Sequence, residues 1–212
     1  MTWLWAAGGV LAGAGIGAAM ASGWYRREGE PAWLSLRWWL LLLAPTLAIS
    51  WAAAARLGWW GIPVMAFAAG GATAAVVDLE VHRLPNPLVG ATTAATGAGV
   101  LMAAAGTGQW HIAGRAAAAG AVVFLLFLVM GVVGSLGGGD IKLGPTIGAA
   151  LGVHSLASVA VGLIAGFTLA GIFGVILAIR GRHRPWWKTW VPMGPGLVAG
   201  TLITTIALRT PS

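Results

Sequence analysis

Apolar positions in this chain do not alternate with polar ones; they run on. Several stretches go about 18 or more residues without a charge, the length that crosses a hydrocarbon core of about 30 Å as a helix. Such runs are too long for the strands of a membrane barrel. The pattern predicts spans at 3–22, 36–55, 59–78, 87–105, 114–134, 141–153, 155–179 and 192–208. The sixth is too short to cross unless it tilts or is extended by neighbouring turns. The expected fold is therefore all-α, a polytopic integral membrane helical bundle of about eight transmembrane segments, with residues 1–212 forming one domain.

Composition agrees. Apolar residues make up 58% of the chain and charged residues 8%, far from the values of a soluble domain. With no cysteine, a disulfide framework or a cysteine zinc site is excluded. The run from Trp3 to Ala21 has its basic residues, Arg26 and Arg27, after it rather than before, so it reads as a retained first span with the N-terminus outside, not as a signal peptide.

The net charge of +7 sets orientation rather than pointing to nucleic acid. Starting outside and alternating, the inner loops hold Arg26, Arg27, Arg37, Arg83, Lys142, Arg180, Arg182, Arg184 and Lys188; the outer ends hold Arg56, Arg115 and Arg209. If the sixth segment did not cross, Arg180 to Lys188 would move outside and this bias would vanish. The thirteen Trp residues all fall near predicted span ends, where an indole is at home at headgroup level. Gly9, Gly13 and Gly17, and likewise Gly162 and Gly166, are spaced for close helix approach. "GAGIGA" mimics a dinucleotide fingerprint but lies inside a span, after no strand, and is discarded.

The chain has two aspartates, Asp78 and Asp140. The charge count places both at the inner ends of spans, at one depth. An ionisable residue at membrane depth is costly and marks function by default. After Asp78, "LEVHRLPNPLVG" contains a turn: Pro85 stops the preceding helix, Asn86 reads as an N-cap and Pro87 as the first helical residue. Before Asp140, Gly137, Gly138 and Gly139 open backbone conformations closed to other residues and leave room for a peptide. Asp140 then falls at a helix N-terminus, which favours its charged form. One charged and one neutral carboxyl are what water-activated peptide hydrolysis requires. Asp140 is thus expected as base and Asp78 as acid, with the reverse order open because the pair shares its titration.

"DLEVHRLPN" and "GGGDIKLG" resemble the two signatures of the type IV prepilin leader peptidases, membrane aspartyl proteases of the GxGD type. Gly137, Gly139 and Asp140 fill the second, with Gly138 in its variable place. "VPMGPGLVAG", which contains Pro195, is similar to a Pro-rich segment the family carries near its last span. The resemblance implies an endopeptidase that cuts the basic leader from prepilins or pseudopilins at the cytoplasmic face of the bacterial inner membrane. Asp78 and Asp140 match its catalytic pair, and the reaction needs no metal, nucleotide or other cofactor. Pro85, Asn86, Gly137, Gly138, Gly139, Lys142 and Pro195 would support the motifs or the substrate. The substrate would bring a basic leader and an apolar helix. Larger members insert a cytoplasmic domain with paired Cys-x-x-Cys motifs and also methylate the new N-terminus. Here the loop is about Gly23 to Ser35 and has no cysteine, so methyl transfer is not expected.

Glu80, two residues beyond Asp78, is expected to point away from it as a solvated loop end. Lys142 could attract an acidic pilin residue or neutralise the site, but positive-inside topology is the favoured account of it. "RGRHRPWWKTW" is suited to anionic lipid. His82, His111, His154 and His183 lack ligand spacing, so no metal is expected. The competing function is an ion- or proton-coupled transporter using the same two acids. Transporter sites lie near the midplane in broken helices, whereas these acids belong at one edge.

Overall fold

A computed structural model describes residues 2–28, 34–134, 136–180 and 193–207. Trp33, Arg182, His183, Arg184, Trp186, Trp187, Lys188, Trp190 and Arg209 lie outside them, as does the start of the Pro-rich segment. The described chain is helical throughout, without strands: α1 (Thr2–Ala21), α2 (Leu36–Ala54), α3 (Gly61–Val81), α4 (Asn86–Thr107), α5 (Trp110–Val132), α6 (Gly138–Gly152), α7 (Leu156–Arg180) and α8 (Gly194–Ala207).

Among the described residues, five stretches are long and apolar enough to cross a membrane: Thr2–Ala21, Leu36–Val81, Asn86–Thr107, Trp110–Val132 and Leu156–Leu177. Leu36–Val81 contains both α2 and α3, joined through a 3-10 turn in which Gly58 takes φ 58°. At 15 and 14 residues, α6 and α8 are shorter than a full crossing. The chain is thus a helical membrane protein, and the count of eight crossings stays an expectation.

Helix α6 sits at the centre. Leu143, Ile147 and Leu151 are fully buried there and join a core with Phe67, Val77, Phe127 and Leu197. Glycines let the backbones close around it: a Cβ at Gly148 would lie 2.6 Å from the Ala119 carbonyl oxygen of α5. The end of α6 is capped by Arg115, which donates to the carbonyls of Gly152, Val153 and His154 at 2.8–2.9 Å, the groups a helix C-terminus leaves open. Thr93 of α4 and Thr146 of α6 share a 2.6 Å hydrogen bond.

The small-residue stripes work as expected. A Cβ at Gly9 would lie 2.5 Å from the Leu47 carbonyl oxygen, and one at Gly13 2.7 Å from the Ala44 α-carbon, so α1 lies directly on α2. A Cβ at Gly166 would lie 3.0 Å from the Leu197 α-carbon of α8. The tryptophans need correction. Trp39 is fully buried, Trp60 nearly so with its indole N–H donating to Gln109, and Trp51 donates to the Met65 carbonyl. These three rings fill core and seams, while Trp3, Trp5, Trp24, Trp38, Trp59 and Trp110 are exposed.

Candidate functional site

The site is built where three helix ends meet. The first is the C-terminal turn of α3, which carries Asp78. Its helix stops at His82, a left-handed residue with φ 50° whose N–H bonds back to the Asp78 carbonyl at 3.0 Å. A non-glycine residue there costs roughly 1–2 kcal/mol, and the turn it makes directs the chain toward α4. Pro85, not Asn86, stands at the N-cap of α4, and Asn86 is its first residue. The expected Asn86 cap is therefore corrected. Its side chain instead accepts a hydrogen bond from Lys142 Nζ at 2.8 Å. That exposed contact ties the "LPNP" turn to the segment after Asp140, so Lys142 has a partner inside the two motifs.

The second end is the start of α6. Gly137 is its N-cap and Asp140 lies in its first turn, as the sequence predicts. The three glycines are not equivalent. A Cβ on Gly139 would lie 2.9 Å from the Leu84 Cβ, so this glycine lets α6 start against the "LPNP" turn. One on Gly137 would lie 3.4 Å from Asp140 Oδ2, whereas one on Gly138 meets nothing within 4 Å. Gly138 is thus the position open to variation, as its place in the motif implies.

The third end is the start of α8, where Met193 accepts the first backbone bond and Gly194 is the first helical residue. The Gly194 backbone amide lies against the Asp78 carboxyl. A Cβ on Gly194 would lie 2.9 Å from Asp78 Oδ2 and 3.5 Å from Asp140 Oδ1. Both carboxylates therefore face a single point, and their separation cannot exceed the sum of those lengths, a gap that one or two waters bridge. Both residues are buried, at 7% and 8% exposure. The two facing oxygens, Asp78 Oδ2 and Asp140 Oδ1, are buried without a hydrogen-bond partner in the protein. Buried acceptors are normally paired, so two unpaired ones aimed at one spot are suited to a water or a peptide group. Gly194 is a site residue that the sequence reading passed over; its one signal was the Pro-rich segment, in which Pro195 was chosen instead.

Glu80 also departs from expectation. It points away from Asp78, but into protein rather than solvent: its side chain is fully buried. One carboxylate oxygen accepts from the Tyr25 hydroxyl. The other accepts from Arg26 Nη2 at 2.7 Å and the Leu34 backbone N–H at 3.1 Å. Arg83 donates to the Tyr25 carbonyl at 2.6 Å. Burial first, then the hydrogen bond and the charge of Glu80, push the Tyr25 phenol up to about 12, so it remains a donor through the neutral range. This cluster fastens the segment between α1 and α2 to the end of α3 that bears Asp78.

Residues 65–179 match the type IV leader peptidase family. The chain belongs to that family. It is accordingly a membrane peptidase of the leader peptidase kind. No curated protein and no solved structure matches it. The matched stretch contains both aspartates, the "LPNP" turn and the glycine loop. Gly194 lies beyond it, and Tyr25, Arg26 and Leu34 lie before it.

Proposed function

We propose that the protein is an aspartyl endopeptidase that removes the N-terminal leader from type IV prepilins or pseudopilins at the cytoplasmic face of the bacterial inner membrane. The observation that carries the reading is the pair of unpartnered carboxylate oxygens, 2.9 and 3.5 Å from where a Cβ on Gly194 would stand. In the proposed reaction one carboxylate takes a proton from water as the water oxygen bonds to the scissile carbonyl carbon. The other, protonated carboxyl gives its proton to the carbonyl oxygen. Collapse of the tetrahedral intermediate breaks the C–N bond. The amine leaves with the proton held by the base, and the acid recovers its own. Asp78 and Asp140 fill these roles as a coupled pair, in either order. Methyl transfer is not part of the proposal.

The transporter reading is weaker, because the acids belong to helix ends rather than to the middle of a broken helix. The test is co-expression with a prepilin and a gel-mobility readout of leader removal. The wild type is expected to process it. Asp78→Asn and Asp140→Asn should each abolish processing while the protein stays in the membrane. Near-normal processing by either variant overturns the two-acid mechanism.

A further inference from the structure

An apolar groove opens beside the acid pair. Leu42 and Thr46 of α2, Ala72 and Ala75 of α3, and Pro195 and Ala199 of α8 form its walls, with Leu202 at its far end. It lies along a thin seam: α1 packs closely on α2 and α7 on α8, while α2 and α8 touch lightly. One end of the groove lies beside the acids, which do not themselves line it. Pro195 follows Gly194, where a Cβ would meet an oxygen of each acid, and Ala75 is three residues before Asp78 on α3. From Pro195 to Leu202 it runs about 10 Å at helical rise, away from the acids and toward the other end of the bundle.

We infer that this groove seats the substrate's apolar helix, over the first two turns after the scissile bond. The inference rests on the leader peptidase reading. Three features select that occupant. The groove ends within one helical turn of Asp78 on α3 and next to Gly194 on α8, so a helix lying in it directs its own N-terminal peptide bond toward the acids. Its direction is that of an apolar segment leaving the cut site for the interior of the bilayer. Its α3 and α8 walls carry Ala72, Ala75 and Ala199, the small residues that allow close helix approach where no hydrophobic force drives association. A substrate held in the membrane reaches a buried acid pair through the side of the bundle, and this is the seam beside the acids.

The absence of native cysteine makes the test unambiguous. Single cysteines are placed by Ala199→Cys and Ala75→Cys. Val129→Cys, on the exposed face of α5, serves as the off-groove control. Each is co-expressed in an Asp140→Asn background with a prepilin carrying one cysteine within seven residues after the cut, and membranes are oxidised. Cross-links are expected from positions 199 and 75 at least 10-fold above those from 129. Separately, Ala199→Leu with Asp140 intact is expected to lower prepilin processing at least 10-fold, while Val129→Leu leaves it unchanged. Equal cross-linking from position 129 overturns the inference. So does no cross-link from 199 or 75 while the wild type cleaves the same prepilin, which would make the groove a lipid seat only. Failure of the wild type to cleave any prepilin overturns the groove and the peptidase reading together.

Discussion

Replacing Glu80 by alanine tests whether the segment between α1 and α2 is fastened to the end of α3 that bears Asp78. The substitution removes the acceptor for the Tyr25 hydroxyl, Arg26 Nη2 and the Leu34 N–H, with Glu80 fully buried and Arg26 at 15% side-chain exposure. Removing one member of a buried ion pair costs about 3–5 kcal/mol. Arg26 retains some access to water, which places Glu80→Ala near the lower figure, about 3 kcal/mol. Glu80→Gln keeps the shape and an acceptor oxygen but loses the charge, so about 1–2 kcal/mol is expected. In a chain of this length each kcal/mol moves the melting temperature by about 2–4 °C. Glu80→Ala in detergent should then melt about 6–12 °C below wild type, read by tryptophan fluorescence. A second readout is specific to the cluster, because Tyr25 is the only tyrosine. Its phenolate absorbance should titrate near 12 in the wild type and move down in Glu80→Ala, which loses the Glu80 hydrogen bond and charge but keeps the burial, the largest raising cause. The sign for stability follows. A phenol raised above its ordinary 10.0 stabilises the fold fully below pH 10, and the contribution is lost as pH rises through about 12. A Glu80→Ala protein within about 1 kcal/mol of wild type, with the Tyr25 midpoint unmoved, would refute the reasoning.

Gly194→Ala puts a methyl 2.9 Å from Asp78 Oδ2. Prepilin processing should fall at least 10-fold with membrane abundance little changed. Gly139→Ala drives a Cβ into Leu84 and should cost about 1–3 kcal/mol as overpacking, seen as a lower melting temperature and weaker processing. Gly138→Ala meets open space and should process like wild type; equal damage from the two substitutions would contradict the geometry of the loop. Lys142→Ala removes an exposed hydrogen bond to Asn86 and should change stability by at most about 1 kcal/mol, measured by the same melting assay.

Helices were legible because their ends are punctuated. Charge-free runs give their length, and the signals at the "LPNP" turn and the glycine loop set where α4 and α6 begin. The two aspartates stood out because acids are rare in such a chain. What escaped were residues whose environment comes from elsewhere in the fold. Glu80 points away from Asp78, as helical spacing requires, but spacing does not reveal that Tyr25 and Arg26 pack over that face. Trp39 satisfies the same rule as an interfacial ring, yet α1, α2 and Tyr25 close around it. Gly194 carries no side chain to advertise chemistry; its importance lies in what it leaves room for. Asn86 reads as a cap by residue type, but Pro85 takes that position and frees the Asn86 amide group for Lys142.

Three helix termini converging on one point also set the limits of any workable truncation. A fragment trimmed to residues 65–179 would carry both acids yet lose the α8 backbone they face and the Tyr25–Arg26 clasp behind them. Chimaeras that exchange this stretch between homologues should therefore fail unless the final helix and the first connecting segment travel with it.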